Sequence, residues 1–303
     1  MPAIRIVSLL PAATEMVSEL GAIDWLVGVT HECDHPEAAR HLPRLTTTSI
    51  DVSTDAAAVD AQVRATAAAG APLFALDAVA LRATRPDVIL TQALCDVCAV
   101  SESDVRAIAA QCDPAPALVT LSATTLDGVL EDIARVGAAI GRDGAAAAWC
   151  ETATARMRRV HETLKAARAP RPRVAVIEWG DPLYAAGHWT PEMIRRAGGI
   201  DVLGTPGAHS VPVTLDAIRA ADPELILVAP CGYDLSRAIT EAHRLRDLPG
   251  WGWARDRRWV ALDANALLSR PGPRLIDGIE AIAHAVAPTL LPPPPIDHLA
   301  FLP

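Results

Sequence analysis

The chain has 303 residues, 51% of them apolar, with a formal net charge of -9 and six cysteines. That length allows one large domain or two lobes with ample core, and no run of Lys or Arg exceeds two residues, which argues against a nucleic-acid partner. No apolar run reaches the roughly eighteen residues of a membrane helix. Strand-like sequence from Ile4 leaves no room for a leader, so the expectation is a cytoplasmic protein, periplasmic if a leader has been removed. In the cytoplasm the cysteines are free thiols, metal ligands or reactive groups rather than disulfides.

The first strand is Ile4 to Leu10. Pro11 to Thr14 turn it into a helix, Glu15 to Leu20, closed by Gly21. Trp25 to Val29 is the second strand. It runs into His31-Glu32-Cys33-Asp34-His35-Pro36, which is a solvated turn or, at a strand end of an α/β sheet, a binding loop. Thr46 to Ser49 reads as loop, Ala56 to Gly70 as helix and Pro72 to Leu76 as a short strand, with Asp77 capping the next helix. Pro86 to Thr91 is a buried strand followed by Cys95-Asp96-Val97-Cys98, a spacing that chelates one metal, forms a redox pair or is inert. Ser101 caps a helix, Leu118 to Leu121 is a strand and Thr125 to Ile140 a helix. Asp143 to Arg168 follows as one long helix. Trp149, Ala153, Met157, Val160 and Leu164 form its apolar stripe. It is one more surface helix or a strut between lobes.

Arg173 to Trp179 is the next strand, with Thr190-Pro191 opening a helix that closes at Gly198. Here the chain repeats itself. Glu15-Met16-Val17 with Gly21 matches Glu192-Met193-Ile194 with Gly198, and Arg82 to Leu90 matches Arg219 to Leu227 in the pattern R-A-x-x-P-(D/E)-x-I-L. The first half carries about 40 more residues between these segments. Cys231 follows the second strand. Trp259 to Leu262 is the last strand, Arg274 to Val286 the closing helix, and the proline-rich stretch from Pro288 an extended appendage. Trp251, Trp253 and Trp259 are read as core, and Cys112 and Cys150 as structural.

Two α/β lobes with parallel, Rossmann-like sheets, one long helix between them and matched strand units resemble the class III solute-binding proteins, which serve cobalamin and iron-siderophore ABC importers. The resemblance covers roughly residues 3 to 287. Ser8 to Glu15 looks like the family's opening segment, Val27 to Thr30 leading to Asp34-His35-Pro36 like its second strand and loop, and Arg270 to Arg274 like its last loop. The cobalamin branch is most similar. The implied organisation is a first lobe at 1–142, a bridging helix at 143–168, a second lobe at 169–287 and a tail at 288–303. The implied function is non-enzymatic binding of a corrinoid (cobalamin-like) or similar metal-bearing ligand in the cleft between lobes. His31, Glu32, Asp34, Trp179, Tyr184, Trp189 and Tyr233 are the candidate ligand-binding residues, the aromatics offering flat apolar faces. Cobalamin binders carry a tryptophan where Leu267 stands here. The family also docks to its permease through one acidic residue per lobe: Asp216 is present, whereas Val79 occupies the first-lobe position near Asp77.

Two alternatives stand beside this. Cys33, Cys95, Cys98 and Cys231 each follow a strand and together would hold zinc or an iron-sulfur cluster in a cytoplasmic metal protein, unless all four are small buried hydrophobes. A cysteine-dependent enzyme would pair Cys33 with His31 or His35.

Overall fold

The computed structural model describes residues 4–93, 100–295 and 297–303. The chain divides into two compact units, Met1–Ala123 with Asp127–Glu151, and Thr124–Leu126 with Thr152–Pro303.

The first unit contains β1 (Ile6–Ser8), α1 (Pro11–Glu19), β2 (Leu26–Val29), β3 (Thr46–Thr48), α2 (Ala56–Ala68), β4 (Phe74–Leu76), α3 (Ala78–Ala83), β5 (Val88–Gln92), α4 (Glu102–Ala109), β6 (Ala117–Leu121) and most of α5 (Leu126–Ala139). Its main sheet is parallel throughout, in the order β2-β1-β5-β6. Val7, Leu9, Leu45, Leu81, Ile89 and Val105 form the core packed against it. The long helix α6 (Asp143–Ala166) contains the boundary between the units, which falls after Glu151. Four of its five stripe residues are buried: Ala153, Met157, Val160 and Leu164. Trp149 is only half-buried because its indole N–H donates to Glu19 Oε2 at 3.2 Å.

The second unit contains β7 (Arg173–Gly180), β8 (Leu183–Ala185), α7 (Thr190–Arg196), β9 (Ile200–Asp201), β10 (Val211–Pro212), α8 (Leu215–Ala220), β11 (Leu225–Val228), α9 (Leu235–Asp247), β12 (Arg258–Leu262), α10 (Ala264–Leu267), α11 (Leu275–Val286) and β13 (Leu299–Leu302). Its sheet runs β10-β8-β7-β11-β12-β13, with β9 also on β7. The centre is parallel, while β8, β10 and β13 are antiparallel, so this sheet is mixed rather than parallel. Trp251 and Trp259 lie in its core, each 1% exposed, as read from the sequence.

The internal repeat has a physical basis. In both units a helix ends, passes through a left-handed residue before proline, and enters a central strand. Arg85 has φ +45° and Asp222 +43°. Proline disfavours the right-handed helical region at the residue before it, so the chain leaves the helix through the left-handed cap position. The acidic residue after the proline clamps the neighbouring strand. Asp87 Oδ2 accepts from Arg5 N at 2.8 Å, and Glu224 Oε1 accepts from Arg173 N at 3.0 Å. The arginine side chains close the loop from the other side: Arg5 Nε donates to Thr84 O and Arg173 Nε to Ala221 O.

Several local expectations change. Thr46–Thr48 is a strand pairing antiparallel with Phe74–Leu76, not a loop; three threonines carry β propensity but no apolar alternation to announce it. Helix α1 begins at Pro11, where proline suits the first turn. The tail is no appendage. Leu299–Leu302 pairs with Trp259–Leu262, and His284 anchors the approach through Nδ1 to Leu291 O at 2.8 Å. Asp77 caps α3 by accepting from Ala80 N at 2.8 Å, so its carboxylate is already used.

Candidate functional site

In parallel α/β sheets the loops after the strands gather at the carboxyl edge. In the first unit that edge holds His31 to Pro36, after β2. His31 is half-buried. Its N–H donates to Thr46 Oγ1 at 3.1 Å and its Nδ1 lies 2.8 Å from the same oxygen. The ring packs on Phe74 at 5.5 Å, and Nε2 is sealed from solvent with no partner. Burial, then the Arg44 charge, hold its pKa below the ordinary histidine value. Glu32 is exposed and Asp34 half-buried.

Cys33 points inward. It is 0% exposed, with Sγ 3.1 Å from Thr14 Oγ1 and 3.2 Å from Thr30 Oγ1. Arg44 Nη1 ties the loop shut by donating to Thr30 O and Cys33 O at 2.7 and 2.8 Å. Cys231 belongs to the second unit and is exposed, while Cys95 and Cys98 lie outside the described residues. Among the described residues no group of three or more His, Cys, Asp or Glu is placed to hold a metal.

The carboxyl edge of the second sheet carries an aromatic shelf. Trp179 and Tyr184 face each other across the β7–β8 hairpin, a cross-strand aromatic pair. Trp179 is half-buried. It meets Tyr233 edge-on, ring centroids 5.6 Å apart, and its indole N–H donates to Asp181 O at 3.1 Å. Arg237 lies over the Tyr233 ring at 3.7 Å, close enough for a cation–π contact. The loops after β11 and β12 brace the shelf: Asn265 N donates to Tyr233 O, Gly232 N to Ser269 Oγ, and Arg270 Nη2 to Asn265 Oδ1. Tyr233 is itself only 6% exposed, with Arg237 over its ring, so it supports the shelf from beneath and offers no open face as the sequence suggested. Trp189 does not belong to this surface either. It is 5% exposed and its indole N–H donates to Leu268 O at 2.8 Å, which makes it core. Leu267 is buried too.

Sequence reading missed Arg237, Ser210, His209 and Glu178. Burial raises the Glu178 pKa, opposed by Ser210 and the Gly187 backbone beside it, and its Oε2 is sealed from solvent and unpartnered. Its one signal was a carboxylate inside an apolar strand run.

The family model described as periplasmic binding protein matches residues 6–252. The chain belongs to that family. A periplasmic heme binding protein from Pseudomonas aeruginosa is similar to it with a TM-score of 0.73 and 24% identity, over 98% of this chain and 97% of that one. The periplasmic vitamin B12 binding protein BtuF of Vibrio cholerae gives a TM-score of 0.66 and 20% identity, over 94% and 98%. The periplasmic heme binding protein HutB of Vibrio cholerae gives 0.66 and 17%, over 94% and 100%. At these identities the likeness is one of fold. No curated protein matches by sequence.

Membership corrects the cytoplasmic expectation, since the family and these similar structures are periplasmic. With that expectation goes the argument that a reducing cytoplasm keeps the thiols free. No helix of the described residues is long and apolar enough to cross a membrane.

Proposed function

We propose that this periplasmic binding protein carries a metal-bearing tetrapyrrole, either a corrinoid of the cobalamin type or a heme, for an ABC transporter. The observation that supports it is the shelf of half-buried Trp179 and Tyr184, backed by Tyr233, which at 6% exposed braces the shelf from beneath, and held by its own hairpin and by the two following loops. Broad aromatic faces with few fixed polar groups suit a large flat ligand. Proteins of similar fold bind heme and vitamin B12. In this reading His31, Glu32 and Asp34 on the first unit, and the exposed Cys231 on the second, are further candidate ligand contacts. Asp216, exposed on α8, is the acidic docking contact for the transporter; Val79, 72% exposed on α3, leaves the matching position apolar.

Calorimetric and absorbance titration with hydroxocobalamin, dicyanocobinamide and hemin tests the reading. One of them should give saturable heat and a visible band shift. Trp179→Ala should weaken that binding by about 2 kcal/mol, the loss of a buried aromatic anchor. No heat and no spectral change with any of the three at high micromolar concentration would sink the proposal.

A further inference from the structure

Two loops of the second unit meet at a point the tetrapyrrole reading does not use. One joins β8 to α7 and the other leads into β10. At Gly187 an added Cβ would stand 2.5 Å from backbone atoms of Ala208, His209 and Ser210, so only glycine lets the loops approach this closely. His188 N–H donates to Ala208 O, and Gly207 N donates to His188 O at 2.9 Å. His188 itself sits at φ +52°, an uncommon conformation for a residue with a side chain. The result aims one imidazole at another: His188 Nε2 and His209 Nδ1 are 3.2 Å apart, with the rings at 88°. His188 is half-buried and His209 exposed, so solvent reaches the pair.

We infer that His188 and His209 form a two-imidazole site for a divalent transition-metal ion, with zinc the best fit. With zinc–nitrogen bonds of about 2.0–2.1 Å, two nitrogens 3.2 Å apart subtend about 99–106° at the ion. That lies near the tetrahedral angle that zinc adopts. The backbone bonds fix the two loops, and with them the two Cα positions from which the rings reach this spacing. Without metal, one ring's N–H donates to the other's lone pair. Binding moves that proton to the same ring's second nitrogen, a tautomer change with no net proton loss from the neutral pair.

Gly187 N also donates to Ser210 Oγ at 3.2 Å, a further tie between the two loops. Among the described residues no third protein ligand completes the set. With two protein ligands, two tetrahedral positions are open to water or an external donor, one more than in three-ligand catalytic zinc sites.

The inference stands apart from the tetrapyrrole reading, because the probe is the bare ion. Chelator-stripped protein is titrated with Zn2+ against a chromophoric chelator, and with Co2+ as a spectroscopic probe. One equivalent should bind, and Co2+ should show intense tetrahedral visible bands without thiolate charge transfer. His209→Ala and His188→Gln should each weaken binding by at least the roughly 10–100-fold that loss of an outer-shell partner costs. His243→Ala, an exposed helix position, should leave it unchanged. Circular dichroism checks that each variant is folded; His209 is exposed, so its variant retains the fold even if His188→Gln does not. No uptake by the unmodified protein at high micromolar metal, binding unchanged in His209→Ala, or cobalt–thiolate bands would each overturn it.

Discussion

Replacing Trp189 separates a core tryptophan from a ligand platform. Its side chain is 5% exposed, and its indole N–H is spent on Leu268 O at 2.8 Å. Trp189→Ala removes a buried aromatic, which costs about 3–5 kcal/mol. Trp189→Phe keeps most of the volume but strands the Leu268 carbonyl, a penalty of about 1–3 kcal/mol. Urea unfolding followed by circular dichroism reads both. With m of about 1–3 kcal/mol per molar urea, the alanine variant's midpoint should fall by at least roughly 1 M. Trp179→Ala is the contrast: the ring is half-exposed and its N–H bonds two residues along its own turn, so stability should change by about 1 kcal/mol or less. If Trp189→Ala leaves the midpoint unchanged but abolishes ligand binding, Trp189 is a platform and the burial argument fails.

Arg156 on α6 bonds Asp277 and both oxygens of Glu280 on α11, with contacts of 2.6 to 3.0 Å. Because all three groups keep some solvent, Arg156→Met should cost only about 1–2 kcal/mol, and the loss should shrink in high salt. Glu178→Gln should stabilise the protein at neutral pH. A carboxyl whose folded pKa is raised binds more protons folded than unfolded, so native stability falls as pH rises from the ordinary glutamate value through the raised one. Melting temperatures of the two proteins should therefore converge in acid, and a gap that widens there would contradict the sign. Removing residues 297–303 should strip β13 from Trp259–Leu262 and expose the β12 edge; light scattering should then show self-association, and a stable monomer of unchanged melting temperature would argue otherwise.

The scaffold was legible where local signals agreed. Proline plus an acidic residue plus an apolar run marks helix end, turn and strand twice over, and the structure repeats each step down to the left-handed residues Arg85 and Asp222. Arg5 and Arg173, which complete those clamps, were invisible because a lone arginine before a strand has no local signature. Residues 299–302 and 46–48 were misread for a related reason, since their pairing partners lie tens of residues away. The site was half legible. The aromatic loop after β7 stood out by composition, whereas Arg237 and His209 come from segments with ordinary sequence and matter only through what the fold sets beside them. The Cys33 loop was found but its direction was not, because strand ends predict which edge a loop reaches and not whether a side chain turns in.

The repeat duplicates the frame and not what the frame carries. Asp87 and Glu224 do the same work at matched positions, as do the Asp77 and Thr214 helix caps. One residue pair later the likeness stops: Val79 and Asp216 both follow their caps by two residues, both are exposed, and only one is charged. At the carboxyl edges the difference is larger, an inward thiol closed over by Arg44 in one unit and an aromatic shelf in the other. Positions that fix the backbone have few chemical solutions, so they agree between the halves. Positions outside that frame are free to differ, and the proposed ligand and transporter contacts lie among them.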